Sequence, residues 1–89
     1  MKELKVSGGT PPKSFAGSVL SCIEDGDSNL SAIAIGAQAV NQCVKGLAVA
    51  VEMGDDRGLR LSCVPEFCTV DTTSGPIVAM RFRIEWYKA

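Results

Sequence analysis

The chain has 89 residues, 46% of them hydrophobic and 21% charged, with a formal net charge of −1 and a pI near 5.2. That length holds one domain and one core, without room for a second core or a deep enclosed active site, and the apolar share excludes wholesale disorder. A balance so near neutrality gives no overall positive field toward nucleic acid or anionic lipid, so any such binding has to come from a local patch.

The first residues, Met1-Lys2-Glu3-Leu4-Lys5-Val6, alternate charged and apolar side chains and lack the continuous apolar run of a secretory signal. No apolar stretch approaches the roughly 18 residues of a membrane span. The expectation is a soluble, cytoplasmic protein with no membrane partner.

Residues 3 to 7 set Leu4 and Val6 against Lys5 and Ser7, the period of a half-buried strand. The run Ser7-Gly8-Gly9-Thr10-Pro11-Pro12 stops it, and Pro12 suits the first position of a helix. Phe15, Ala16, Val19, Leu20 and Ile23 then recur at helical spacing, and Gly26 is the candidate C-cap. Leu30 to Ile35 is short and almost free of polar side chains, which predicts a central strand buried on both faces.

A second helix is predicted from about Ala37 to Met53, with Val40, Cys43, Val44, Leu47, Ala48 and Val51 as its apolar stripe. Its polar face, Gln38, Asn41, Gln42 and Lys45, is confined to the first half. Val49 continues that direction where a solvated helix would place a charge, which points to a subunit partner over the C-terminal half, at Val49 and Met53.

After the turn Gly54-Asp55-Asp56-Arg57-Gly58, period two resumes from Leu59 to Thr72. Pro65 has no N–H for a ladder bond and marks this strand as an edge or a bulge. A hairpin connection at Asp71 to Pro76 leads to the last strand. There Val78, Met80, Phe82, Ile84 and Trp86 share one face and Ala79, Arg81, Arg83, Glu85 and Tyr87 the other. Phe15, Phe67, Phe82 and Trp86 all fall on predicted core faces, leaving Tyr87 as the free aromatic. The order gives an α+β domain over residues 1 to 89, a two-layer β-α-β-α-β-β sandwich. Two helices lie on one face of a four-stranded mixed sheet.

Cys22, Cys43, Cys63 and Cys68 read as reduced, buried thiols in a cytoplasmic chain. Only Cys63 and Cys68 approach a zinc-ligand spacing, their separation of five turns them to opposite strand faces, and the chain has no histidine. No metal and no cofactor are expected. Catalysis is not expected either, since no His and no nucleophile-elbow motif is present. Gly8-Gly9 lacks the Lys-Ser/Thr ending of a phosphate loop, and Gly36 stands without a dinucleotide fingerprint.

The remaining candidate is the strand-to-helix break at Gly36, where uncovered helix amides and the positive dipole end face outward. With a parallel crossover, the loops after the first and second strands share one carboxyl edge. That places Gly8-Gly9 and Lys13 beside Gly36, Gln38, Asn41 and Lys45. For Gly36 the plainer reading is a tight turn, and for the polar side chains a solvated helix face.

Four segments together resemble the bacterial stage V sporulation protein S family. They are Leu4-Lys5-Val6-Ser7; Pro-x-Ser-x-Ala-Gly at Pro12 to Gly17; Ile35-Gly36-Ala37-x-Ala39-Val40-Asn41-Gln42-x-Val44-Lys45; and Pro65-x-Phe67. The resemblance spans nearly the whole chain, and Ile-Gly-Ala-x-Ala-x-Asn-Gln is its specific part. It implies an Alba-like fold, self-association to a dimer or higher oligomer such as a tetramer, and a regulatory role in sporulation and development. By fold-level analogy it also implies nucleic-acid binding (DNA or RNA), with Lys13, Gly36, Gln38, Asn41, Gln42 and Lys45 as the contacting set. The glycine-proline loop after the first strand and the uncharged-to-acidic hairpin tip lack the basic residues that Alba proteins carry there. A protein-interaction scaffold without nucleic acid is the alternative reading.

Overall fold

The computed structural model describes residues 2–89. Its elements follow the expected order: β1 (Lys2–Val6), α1 (Pro12–Glu24), β2 (Leu30–Ala34), α2 (Ala37–Asp55), β3 (Leu59–Thr72) and β4 (Gly75–Lys88). Local chemistry sets the boundaries. Pro11 is extended at the start of α1 (φ −67°, ψ 131°), with Pro12 behind it, where a missing N–H costs nothing. At the other end the Asp27 N–H donates to the Cys22 carbonyl and the Gly26 N–H to that of Ile23. Gly26 sits at φ 85°, the left-handed cap that a Cβ would oppose.

The sheet order is β1-β2-β4-β3. β1 and β2 pair in parallel, while β2–β4 and β4–β3 are antiparallel. All five residues of β2 are buried, with Ser31 the one polar side chain among them: strands flank it on both sides, and the helices cover the face of Leu30, Ala32 and Ala34. β3 is an edge, so Pro65 costs no central ladder bond. Because β1 and β2 run together, both helices start at their carboxyl edge and run back along the sheet. Glu24, Asp25 and Asp27 therefore gather with Glu52, Asp55 and Asp56 at the far end.

β2 has five residues and β4 fourteen. Ala34, the last residue of β2, pairs with Met80, so the pairs from Cys68–Ala79 to Thr72–Gly75 extend beyond the sheet body. Five pairs at about 3.3 Å each make an arm of about 16 Å, projecting past the same carboxyl edge. The hairpin turn is tighter than expected, only Thr73-Ser74 between the strands. The Ser74 N–H donates to Thr72 Oγ1 at 3.2 Å, and that hydroxyl donates to the Gly75 carbonyl at 2.6 Å.

Three expectations are corrected. The side of α2 that meets the core is Ala39, Cys43, Gly46, Leu47, Ala50 and Gly54, and Val44, Ala48 and Val51 turn outward. Close packing chose the small residues: a Cβ on Gly46 would lie 2.4 Å from Phe15 Cδ2, and one on Gly54 2.7 Å from Leu61 Cδ1. Phe67 is 80% exposed, because its partner Met80 already lies at the end of the sheet body and no helix continues there to cover it. Of the four free thiols, Cys22 and Cys43 are buried, Cys63 is exposed and Cys68 is intermediate. β3 is an edge strand only partly covered by α2.

Cys43 carries a pH signature. Burial, with Cys63 nearby, pushes its thiol from 9.0 to about 11. The native chain keeps this proton where the unfolded chain releases it. The group's contribution is therefore complete below pH 9.0 and is lost as pH rises through about 11. In urea titrations, the stability gap between wild type and Cys43→Ala should narrow by about 2 kcal/mol between pH 8 and 11. A constant gap would show that the thiol titrates as it does in the unfolded chain.

On the face away from the helices, Arg81 reaches Glu3 at 3.6 Å and Glu66 at 3.7 Å, and Arg83 reaches Glu66 at 3.5 Å. These pairs tie β1, β4 and β3 together, each contributing about 0–1 kcal/mol at such exposure.

Candidate nucleic-acid interface

The carboxyl edge is built from two segments that hold each other. In the loop after β1, the Ser7 N–H donates to Thr10 Oγ1 at 2.9 Å and the Thr10 N–H donates to the Ser7 carbonyl at 3.1 Å. From α2, the Gln42 side-chain amide donates to the Thr10 carbonyl at 3.0 Å, while Asn41 Nδ2 donates to Gln42 Oε1 at 3.3 Å. Gln38 lies over Gly8, so closely that a Cβ there would stand 3.0 Å from Gln38 Oε1. The loop is thus docked on the first two turns of α2, and part of the polar face of that helix is spent on the docking.

Gly36 precedes α2 at φ 89°, ψ 160°, and no side chain caps the helix start. A side chain at that φ is strained by about 1–3 kcal/mol. No heavy atom lies within 4 Å of where its Cβ would be. The tight-turn reading is therefore sufficient for the glycine, and the space above it is open.

Lys13 and Lys45 meet at one groove, lined also by Pro11, Pro12, Ala48 and Val49. Both lysines are exposed. All four arginines stand in ion pairs, Arg57 with Glu24 and Arg60 with Asp55 completing the set, whereas no lysine forms one among the described residues. The acidic cluster lies at the far ends of the helices, so this edge holds unneutralised positive charge within a chain of net charge −1.

Of the expected contacting set, the structure brings Lys13 and Lys45 to one groove, joins Asn41 and Gln42 to the loop, and sets Gln38 on Gly8. Val49 lines the lysine groove and Met53 lies farther along α2; both are half-buried against the core. The exposed large apolar side chains are others: Ile35, Val44, Val51, Val64, Phe67, Val78 and Tyr87. Comparing the lengths of the predicted strands would have revealed Val78, since five residues pair with only part of fourteen and Val78 lies beyond them.

The stage V sporulation protein S (SpoVS) description matches residues 2–87. The chain belongs to the SpoVS family. A search of solved structures finds similarity to Alba from Thermoplasma volcanium, at a TM-score of 0.59 and 11% identity, covering 98% of this chain and 99% of that one. At that identity the likeness shows the fold, and the SpoVS-family chain is Alba-like in architecture. No helix among the described residues is long and apolar enough to cross a membrane.

Proposed function

We propose that this SpoVS-family chain is a non-catalytic, cytoplasmic regulator in sporulation or development, acting as an oligomer that binds nucleic acid weakly at its carboxyl edge. Lys13 and Lys45 supply the charge, Gly36, Gln38 and Asn41 the polar surface around the open helix start, and Gln42 the brace that holds the loop. The carrying observation is that both lysines share one groove and lack carboxylate partners while every arginine has one. The arm contains no Lys or Arg from Cys68 to Ala79, which favours a shallow backbone contact over groove insertion.

The expected salt signature follows from two to four phosphates per protomer, a slope of about −2 to −4 in log K against log salt on duplex DNA. A gel-shift series with DNA and RNA should show it, and Lys13→Glu with Lys45→Glu should abolish the shift. An affinity indifferent to salt, or one that survives the double reversal, would overturn the reading.

A self-association scaffold without nucleic acid is the second reading, favoured by the apolar surface of Val44, Val51, Phe67 and Val78. It prevails if no nucleic acid shifts even at low salt.

A further inference from the structure

The sheet face away from the helices holds a cleft of about 420 Å³ that the nucleic-acid reading does not use. Its floor is Ile33 and Ile35, one wall is Val70 on the overhanging arm, and the opposite wall is Lys5 with Gly8. A crevice of this volume, mostly apolar with a few polar groups at its rim, has the form of a small-molecule site. Ile35 is 46% exposed, a large apolar side chain left at the surface beside that floor.

Charge narrows the occupant. Of the two charged rim residues, Glu3 faces Arg81 at 3.6 Å, whereas Lys5 enters no ion pair among the described residues. Two buried side-chain atoms without a hydrogen-bond partner, Ser31 Oγ and Arg81 Nε, lie on this same face. Register sets them beside the cleft: Ser31 pairs with Glu3, and Ile33 pairs with both Lys5 and Arg81. Ser31 is only 5% exposed. The free cation at the rim selects an anion, and the floor selects a hydrocarbon body.

We propose that the cleft binds a small amphipathic acid, its apolar body against Ile33, Ile35 and Val70 and its carboxylate at Lys5. Val70 belongs to the arm and Ile33 to the sheet body, so the ligand bridges them and stiffens the arm. The proposal is independent of the nucleic-acid reading, because Lys13 and Lys45 lie in a different groove.

The test is an amide NMR titration of the full chain with octanoate, octanol and octylamine, each below its micellar concentration. Octanoate is expected to shift Gly8, Ile33, Ile35 and Val70 saturably and to slow amide exchange over residues 68–72, with octanol weaker and octylamine weakest. Lys5→Glu should weaken octanoate by about tenfold and favour octylamine, since attraction becomes repulsion. Lys5→Gln, which removes the charge without reversing it, should level the three. Ile35→Ser should weaken all of them, and Lys13→Glu with Lys45→Glu should leave octanoate binding unchanged. The idea is overturned by an absence of saturable shifts, by a ligand order indifferent to both Lys5 variants, or by equal shifts at Val44 and Phe67. That last pattern would mean partition onto exposed apolar surface.

Discussion

Gly46→Ala is expected to destabilise the domain by about 2–3 kcal/mol, while Gly17→Ala, the same added methyl on the neighbouring helix, stabilises it by about 0.5–1 kcal/mol. The signs differ because the surroundings differ. A Cβ on Gly46 meets Phe15 Cδ2 at 2.4 Å and the Pro12 carbonyl oxygen at 3.2 Å, whereas one on Gly17 meets nothing within 4 Å. Phe15 is a buried ring in a close-packed interior and Pro12 opens α1, so relieving the clash means moving one helix from the other. At Gly17 the helix gains the propensity difference and nothing is displaced. Urea titration of both variants measures the effect. Equal signs would show that the helices do not cross at Gly46. The same crossing sets Lys13 beside Lys45, so Gly46→Ala should also weaken the proposed nucleic-acid binding, and Gly17→Ala should not.

Val44→Glu combined with Phe67→Glu is expected to convert the proposed oligomer to a monomer, weakening association at least about a hundredfold, or roughly 3 kcal/mol. Both side chains are exposed, 51% and 80%, so the charges cost the isolated protomer little. At a contact between copies each would bury a carboxylate in an apolar surface. Val44 and Val51 line a groove of about 250 Å³ between α2 and the sheet, with Leu47, Cys63 and Phe82. Phe67 and Val78 share the helix-bearing face of the β3–β4 hairpin. Exposed apolar side chains of this kind mark association sites. Sedimentation of the double variant, with circular dichroism to verify its fold, gives the answer. An unchanged mass would move the contact elsewhere. Met53→Glu is the contrast: Met53 packs against the core, so its substitution should unfold the protomer instead of merely separating copies.

Periodicity made most of the fold legible. The alternation in β4, the nearly apolar run of β2 and the proline at the start of α1 each pointed to their element, although β2 stops at Ala34 and leaves Ile35, expected within it, 46% exposed. The core-facing side of α2 was hidden because it is marked by Gly46, Ala50 and Gly54, residues that carry no hydrophobic weight in a periodic pattern yet permit the closest approach. Phe67 misled for a related reason. It alternates correctly with its neighbours, but alternation reports which face a side chain takes and says nothing about how far the covering layer extends.

The candidate site was legible as a neighbourhood. Parallel pairing of β1 and β2 follows from the crossover and brings Lys13 to the edge that holds Gly36. The division of labour within it was not visible, because Gln42 and Lys45 both read as polar face. Only the fold shows one donating to the Thr10 carbonyl and the other left free.

Both helices begin at the lysine edge and end among Glu24, Asp25, Asp27, Glu52, Asp55 and Asp56. Their dipoles add instead of cancelling. The molecule therefore has a front and a back. Copies laid along a polyanion by the front would all turn the same mixed end outward, its carboxylates set among Arg57, Arg60, Lys2 and Lys88. Such a coat would have one polarity throughout, its outer surface set by the helix ends whatever lies beneath it.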